Sequence, residues 1–306
     1  MSAVAPVSPT PRVTAPSLRA MKEAGRPIVM LTAYDYHAAR LVEAAGVDAV
    51  LVGDSLGMTM LGYSSTLPVT IDDMVRATAA VSRACSHALV IADMPFMSYA
   101  ADHAEGMRNA GRLIAEGGAH AVKVESASTA TLDLVEGLID AGIPAMGHVG
   151  LTPQSVNTLG GYHAQGKDVA SATLAIAQSL SLEDAGAFAI VLECVPAELA
   201  ERISELLTIP TIGIGAGSGC DGQVQVFHDL LGLGEFLPKH AKRYADIGGA
   251  IMQAVSAYAN DVRDGAFPSD GQSTHLSIDV IDQIDAVIAE VAAEEDIAEF
   301  GEGLLL

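Results

Sequence analysis

Three carboxylates that each follow an apolar run are the residues of this sequence best placed to do chemistry. Asp54 follows AVLVG, Asp93 follows ALVIA and Glu125 follows AVKV. A carboxylate at the end of a buried strand is costly unless it is paired, and three that converge repel one another. All-oxygen donors favour a hard cation, Mg²⁺ first and Mn²⁺ second. Each acid alone could instead cap a helix or pair with a base, so the metal prediction depends on all three together.

Lys123, His148 and Glu193 are the other titratable candidates. Lys123 lies two residues before Glu125, so both side chains point to the same face of a strand. It could bind an anionic substrate group such as a carboxylate, or form a salt bridge with one of the acids. Glu193 lies in the apolar run FAIVLECVP, where burial would raise its pKa and make it a better base. For Glu193, and for His148 in GHVG, a structural hydrogen bond is the alternative.

The elements that must position these residues are short apolar runs that alternate with Ala-rich helical patterns. The predicted strands are 28–35, 49–55, 88–95, 121–126, 143–150, 188–195, 211–217 and 233–239. Nearly continuous apolar runs are typical of a parallel sheet covered on both faces. Eight such units predict an α/β fold, a (β/α)₈ barrel, with an open doubly wound sheet as the alternative. Polar residues end six of the runs, which favours the barrel, because barrel enzymes place their chemistry at that mouth.

Composition divides the chain into three parts. Residues 1–19, rich in Pro, Ser and Ala, are predicted to be a disordered arm, and 20–267 the barrel domain. Residues 268–306 are predicted to be an acidic, partly helical extension, because Lys and Arg are absent from 265 onward. The extension is either a solvated acidic helix or a partner-binding segment.

Charge and motif content exclude several classes of function. The net charge of −22 argues against binding to nucleic acid or to an anionic membrane. The apolar runs are too short to span a bilayer, and the N-terminus lacks a signal-peptide pattern. Three cysteines without metal-like spacing fit a reducing cytoplasm. GSGCDG (217–222) matches a dinucleotide-binding pattern, but HAKRY (240–244) stands where the ribose-binding acid would be required, so that function is rejected.

Several long motifs resemble one family. They are LTAYDY (31–36), VGDSLGMT (52–59), STLPVT (65–70), ADMPFMSY (92–99), VKVE (122–125), GHVGLTPQSVN (147–157), LECVP (192–196), IGIGAG (212–217) and DGQVQVFHDLLG (221–232). In order and spacing they resemble the 3-methyl-2-oxobutanoate hydroxymethyltransferase (ketopantoate hydroxymethyltransferase) family. The resemblance covers residues 15 to 267 and leaves out the acidic extension.

The resemblance implies a barrel of the phosphoenolpyruvate/pyruvate class and the first committed step of pantothenate synthesis. In that reaction 5,10-methylenetetrahydrofolate donates a hydroxymethyl group to 3-methyl-2-oxobutanoate, through an enolate held at Mg²⁺, to give 2-dehydropantoate and tetrahydrofolate. The family's Mg²⁺ acids match Asp54, Asp93 and Glu125. Its keto-acid-binding positions match Asp54, Ser55, Asp93 and Lys123.

The resemblance also assigns the remaining candidates and an assembly. Glu193 matches the proposed proton acceptor, and His148 matches another residue that lines the site. The family usually forms a homo-oligomer, a decamer of two pentameric rings. Two rival functions remain open from the residues alone. One is a lyase or mutase of the same barrel superfamily, which dependence of turnover on methylenetetrahydrofolate would exclude. The other is a non-catalytic oligomeric scaffold that binds keto acids, which any turnover would exclude.

Overall fold

Eight parallel strands form one closed barrel in the order in which they occur along the chain. The computed structural model describes residues 11–234 and 236–293. The strands are β1 (Ile28–Thr32), β2 (Ala49–Val52), β3 (Leu89–Asp93), β4 (Ala121–Lys123), β5 (Ala145–Gly150), β6 (Ala189–Glu193), β7 (Thr211–Ile214) and β8 (Gly222–Gln225). The barrel closes where β8 pairs with β1, with Gly222 opposite Ile28. The predicted (β/α)₈ barrel is therefore confirmed, and the open sheet is excluded.

Helices follow most of the strands along the chain. They are α1 (Ala15–Glu23), α2 (Tyr36–Ala44), α3 (Leu56–Thr59), α4 (Ile71–Ala84), α5 (His103–Ala115), α6 (Thr129–Asp140), α7 (Val156–Leu159), α8 (Val169–Asp184), α9 (Ala197–Leu206), α10 (Phe227–Leu231), α11 (Ile247–Arg263) and α12 (Ile278–Ala293). Short 3₁₀ turns occur at Pro153–Ser155 and Asp270–Gln272. None of the described helices is both long enough and apolar enough to cross a membrane.

The eighth strand is not where the sequence pattern predicted it. The prediction of 233–239 is wrong, because β8 is the four-residue segment GQVQ at Gly222–Gln225. Because β8 consists of a glycine, two glutamines and one valine, it lacks the apolar run by which the other strands were predicted. Within 233–239, Pro238 has no backbone N–H to contribute to a ladder, and the segment is irregular where it is described. The loop between β7 and β8 contains no helix, so these two strands follow each other directly.

Side chains along the strands alternate between two apolar cores. One core lies between the strands and the outer helices and includes Val50, Val52, Val90 and Ala92. The other fills the barrel lumen, with Ala49, Leu51, Leu89, Ile91, Ala121, Met146, Ala189 and Val191 among its members. This two-residue period determines which side chains near the strand ends point into the lumen.

The segment predicted to be a disordered arm is partly a helix. Thr14 caps α1 and forms a reciprocal capping box with Ser17. Val13, Leu18 and Met21 belong to the lumen core, and Leu18 is completely buried. The prediction for 1–19 is therefore wrong over the described residues 11–19. Burial of the apolar residues along one face of α1 stabilises the ordered helix. Residues 1–10 lie outside the described part.

The chain separates into two compact units, Met1–Gly248 and Gly249–Leu306. The barrel domain was predicted to extend to residue 267, but most of α11 belongs to the second unit. Helical patterning alone did not distinguish a helix packed on the barrel from one outside that unit. Helix α12 agrees with the partly helical extension predicted for 268–306. The end of that extension, 294–306, lies outside the described residues.

Candidate active site

The lumen period carries the chemical side chains to the mouth of the barrel. In β3 the lumen-facing Ile91 is followed two residues later by Asp93, and in β6 Val191 is followed by Glu193. In β4 Ala121 is followed by Lys123 and, just past the strand, by Glu125. The lumen therefore changes from apolar to polar over two residues of each of these strands. The C-terminal ends of parallel strands lie at one edge, so these side chains converge.

Lys123 lies at the centre of this cluster. Its ammonium is 3.1 Å from Asp93 Oδ1, 3.7 Å from Glu125 Oε1 and 3.3 Å from His148 Nδ1. Burial disfavours the charged ammonium, but the carboxylates of Asp93 and Glu125 outweigh burial and raise the pKa of Lys123. Lys123 is therefore a fixed positive charge, and both roles predicted for it, salt bridge and anion binding, are geometrically open.

Asp54 and Asp93 are neighbouring buried carboxylates at the ends of β2 and β3. The backbone N–H of Asp54 donates to Asp93 Oδ2 at 3.0 Å. Burial raises the pKa of Asp54 well above its usual range, and the nearby charges of Glu125 and Asp93 raise it further. Burial also raises the pKa of Asp93. Negative charge is thus concentrated here beyond what Lys123 alone neutralises.

His148 lies between two glutamates. Its Nδ1 is 3.4 Å from Glu125 Oε1, and its Nε2 is 3.3 Å from Glu193 Oε2. Burial and the Lys123 ammonium lower the pKa of His148, but the two carboxylates outweigh them and raise it to about 9. His148 is thus placed to contact both glutamates, and the assignment of Glu193 as the base stays a prediction.

Glu193 differs from the other site acids in its access to solvent. Its side chain is 16% exposed, whereas those of Glu125 and Asp93 are 3% and 4% exposed. Deep burial was predicted from its apolar neighbours in the sequence, and that prediction is wrong because those neighbours alternate with it across the pleat. A partly exposed carboxylate can release to water the proton that it takes from a substrate.

Ser55 begins the turn that leads into α3 and stands beside Asp54. Its Oγ is 2.8 Å from the hydroxyl of Tyr34, whose pKa burial raises to about 12. A Cβ atom on Gly53 would lie only 2.8 Å from that Oγ, so a glycine is needed there to leave the serine its place. The structure brings Ser55 to the mouth with the other predicted residues.

Gln154 is a site residue that the sequence reasoning did not single out. Its Nε2 donates to Asp54 Oδ2 at 2.9 Å and to the Met94 carbonyl at 2.9 Å. Its backbone N–H donates to Glu125 Oε2 at 2.9 Å, and its Oε1 accepts from the Tyr99 hydroxyl at 2.9 Å. Gln154 therefore fixes two of the predicted metal acids. Its position in the motif GHVGLTPQSVN was the one available signal.

Backbone strain is concentrated at the mouth. The described non-glycine residues with positive φ are Met97 at 62°, Ser126 at 74° and Cys194 at 48°. Each follows, within four residues, an acid at or just past the end of a strand: Asp93 of β3, Glu125 after β4 and Glu193 of β6. Such conformations cost of order 1–3 kcal/mol each and persist where surrounding structure holds them. Their position is typical of a functional site.

Three other features of the sequence have structural roles. Asp35, at the mouth after β1, caps α2 by accepting from the backbone N–H groups of His37 and Ala38. The three cysteines are free, and burial raises the pKa of Cys85 to about 12, as suits an inert apolar side chain. GSGCDG forms the glycine-rich connection between β7 and β8.

The donor chemistry of the site fits a hard divalent cation. Asp93 Oδ1 is buried with the Lys123 ammonium 3.1 Å away, and Asp54 is crowded by the charges of Glu125 and Asp93. A divalent cation would relieve the repulsion among the three acids. However, no three His, Cys, Asp or Glu side chains of the described chain already gather tightly around one point. Glu125 in particular is engaged by His148 and by the Gln154 N–H.

Comparison with known proteins identifies the family. A family model described as ketopantoate hydroxymethyltransferase matches residues 12–270. The 3-methyl-2-oxobutanoate hydroxymethyltransferase of Carboxydothermus hydrogenoformans is 52% identical over 274 residues, which is 89% of this chain and 99% of the relative.

Solved structures share the fold at much lower identity. 2,3-Dimethylmalate lyase, a member of the PEP mutase/isocitrate lyase superfamily, aligns at a TM-score of 0.55 and 19% identity over 90% of this chain and 98% of that one. Phosphonopyruvate hydrolase in complex with oxalate and Mg²⁺ aligns at 0.54 and 15% identity over 92% and 98%. These likenesses show the barrel class, whereas the family match extends through every site residue described above, and the chain belongs to the ketopantoate hydroxymethyltransferase family of transferases.

Proposed function

We propose that the protein transfers a hydroxymethyl group from 5,10-methylenetetrahydrofolate to 3-methyl-2-oxobutanoate, giving 2-dehydropantoate and tetrahydrofolate. This is the first committed step of pantothenate synthesis. One observation carries the proposal: a buried ion pair and a partly exposed carboxylate lie on either side of His148. The ion pair, which we call the anchor, joins Lys123 Nζ to Asp93 Oδ1 at 3.1 Å, and the carboxylate is that of Glu193.

The buried anchor suits an α-keto acid. Lys123 offers a permanent positive charge for the substrate carboxylate, and Ser55 offers a hydroxyl that Tyr34 already orients. Asp54, Asp93 and Glu125 would hold Mg²⁺, or Mn²⁺, beside that substrate. The bound cation would polarise the keto oxygen and make the C3–H more acidic. The presence of Mg²⁺ with oxalate, a small dianion, in phosphonopyruvate hydrolase supports this reading of a barrel of the same fold.

The carbon–carbon bond requires a base near C3. Glu193 takes the C3 proton on a carboxylate oxygen, while His148, held between Glu193 and Glu125, keeps that carboxylate in place. Water adds to the methylene group of the donor and both of its carbon–nitrogen bonds break, which releases tetrahydrofolate and leaves the one-carbon unit as formaldehyde. The enolate carbon attacks the formaldehyde carbon, and the oxygen, which came from water, takes up a proton from water and becomes the hydroxyl group of 2-dehydropantoate. Glu193 then passes its proton to water through its exposed edge. All of the side chains to which a step is assigned lie together at the mouth of the barrel.

The proposal is tested by two measurements on the wild-type enzyme. Tetrahydrofolate release should require 3-methyl-2-oxobutanoate and should fall to background when EDTA removes divalent ions. The C3 hydrogen should exchange with D₂O without folate, because proton removal precedes bond formation. A lyase or mutase would turn over without folate, and a scaffold would not turn over at all, so either result would refute the proposal.

We also propose that the protein acts as a homo-oligomer in the cytoplasm. Helix α11 has exposed apolar side chains at helical spacing along one face: Ile251, Val255, Tyr258 and Val262. Three free cysteines support a reducing compartment. The double substitution Val255→Asp/Tyr258→Asp should lower the mass seen by sedimentation, from an assembly of the decamer class to smaller species. An unchanged mass would exclude this face from the interface.

A further inference from the structure

The mouth of the barrel has a second polar group that the proposed catalytic cluster does not use. Three of the chain's sixteen Lys and Arg residues fall within positions 239–243, in a chain of net charge −22. Lys239 and Lys242 are exposed, as is Lys167 in the loop before α8. We call Lys167, Lys239 and Lys242 the basic rim. Such a concentration of positive charge is unexpected in so acidic a protein and requires an explanation.

Backbone contacts hold the basic rim at the mouth rather than elsewhere on the surface. His240 Nδ1 lies 3.5 Å from the sulfur of Cys194, the residue directly after Glu193. The backbone N–H of Lys242 donates at 2.6 Å to Gln225 Oε1, at the end of β8. From the other side, the N–H of Gln165 donates at 3.0 Å to the Cys194 carbonyl and positions the loop that carries Lys167.

The cations of the rim are available to bind a ligand. Within residues 11–234 and 236–293, Lys167 and Lys239 form no ion pair, and the Lys242 ammonium lies 4.6 Å over the ring of Tyr244. Asp229 interacts electrostatically with His240 and Arg243 of this segment.

An exposed aromatic side chain on the loop of Lys167 lies close to the catalytic cluster. Tyr162, 48% exposed, donates its hydroxyl to Met58 Sδ at 3.9 Å and belongs to the same loop as Lys167. Met58 belongs to α3, which begins directly after Ser55, so the Tyr162 ring lies beside the end of β2 that carries Asp54 and Ser55. A ligand that lies on Tyr162 therefore has one end at the acids and the other directed towards the rim.

We propose that this surface binds the one-carbon donor, with its flat ring system against Tyr162 and its glutamyl carboxylates on Lys167, Lys239 and Lys242. The proposal rests on the proposed function, which requires a folate. The charge pattern favours this direction of binding, because the acids around Lys123 repel an anionic tail, whereas the rim attracts it. A longer glutamyl tail offers more carboxylates, so the rim should discriminate by tail length.

The test uses the full-length enzyme and donors with one or five glutamates. Lys239→Ala/Lys242→Ala should raise KM for the pentaglutamyl donor about three- to tenfold, the effect of losing two exposed ion pairs. KM for the monoglutamyl donor should change less than twofold, with kcat and KM for the keto acid unchanged. Added salt should raise the wild-type KM for the pentaglutamyl donor and affect the double variant less.

The matched control removes two exposed arginines from the outer helices, Arg83→Ala in α4 and Arg108→Ala in α5, and it should leave both KM values unchanged. Tyr162→Leu should weaken both donors equally, and Tyr162→Phe should restore binding because it keeps the ring. Equal KM for the two donors in the wild type, or an unchanged pentaglutamyl KM in the rim variant, would overturn the proposal while leaving the proposed function intact. Turnover without any folate would instead overturn the proposed function, and C3–H exchange in D₂O would show that the site itself remained active.

Discussion

The two sides of the barrel mouth differ in burial and in charge. Strands β2 to β6 end in buried charges that hold one another at 3.0–3.7 Å, and the strain of Met97, Ser126 and Cys194 is confined to this side. Strand β7 ends at Ile214 and leads into a glycine-rich loop, and strand β8 ends at Gln225, which accepts a hydrogen bond from the backbone N–H of the exposed Lys242. The first side is rigid, desolvated and suited to bond making. The second is open and suited to holding a large anion, so each kind of substitution should affect one measurement and not the other.

Removing a carboxylate from the rigid side should have the largest effect. Asp54→Asn and Asp93→Asn should lower turnover by about 10³-fold or more, because the polarisation of the keto oxygen depends on them. Since burial raises the pKa of both acids, thermal stability should stay the same or rise. Turnover and melting temperature, each with and without Mg²⁺, measure this.

Asp35→Asn provides the matched control for these variants. It makes the same chemical change at a mouth acid that only caps α2, so activity should persist. Near wild-type turnover in Asp54→Asn or Asp93→Asn would remove that residue from the metal assignment.

Glu193→Gln should have the next largest effect. The amide keeps the shape but cannot accept a proton, so C3–H exchange in D₂O should fall by about 10²–10⁴-fold while the keto acid still binds. His148→Asn should show a smaller defect, because His148 acts through the carboxylates that it contacts. Exchange followed by proton NMR compares the two. Normal exchange in Glu193→Gln together with lost exchange in His148→Asn would reverse the two roles.

Gln154→Leu should produce an intermediate defect on the same side. Loss of the hydrogen bonds to Asp54 and Met94 should lower the affinity for Mg²⁺ or Mn²⁺ by about 10–100-fold, as for other residues that orient metal ligands. Mn²⁺ binding measured by EPR gives a readout that is independent of turnover. Gln165→Leu removes the same side chain from the same loop, where it contacts only the His163 carbonyl, and should bind Mn²⁺ normally. Equal affinities in both variants would make Gln154 a packing residue.

A carboxylate remote from the mouth should give the smallest effect. Glu43 accepts hydrogen bonds from Ser86, His87 and Ala88, which outweigh its partial burial and lower its pKa. The stabilisation is therefore complete above the ordinary pKa of 4.5 and is lost as pH falls through the lowered value. Glu43→Gln should lower the melting temperature at pH 7 by about 2–4 °C. The difference from wild type should disappear in acid, and turnover should not change.

The sequence predicted the rigid side well because its residues follow a regular period. Asp93, Lys123, Glu125 and Glu193 occupy every second position of apolar runs, and a parallel barrel necessarily brings such positions to one mouth. Gln154 and Tyr99 come from loops, and their contacts join residues 26 to 100 positions apart, for which no local pattern exists. The metal remains a prediction from the three carboxylates and from family resemblance, and the folate and the assembly remain predictions from the resemblance alone.

The errors also have physical causes. Strand β8 was missed because a four-residue strand with glycine and glutamine has no apolar run to detect. Helix α1 was missed because Pro and Ser in the preceding residues suggested disorder, although Leu18 and Met21 have a buried face to fill. In both cases tertiary burial decided a structure for which local composition gave a weak or opposite signal.

The packing of Val13, Leu18 and Met21 into the lumen core leaves the lumen with an apolar floor. Beneath Lys123, within the described part of the chain, the apolar side chains of Ile91, Met146 and Val191 occupy the lumen. We therefore expect ligands to reach the site through the mouth. Under the proposed function, a small keto acid must enter before the bulky donor covers it, and tetrahydrofolate must leave before 2-dehydropantoate. The apolar floor of the lumen therefore predicts a sequential kinetic mechanism with an obligatory order of binding, whatever the affinities of the two substrates.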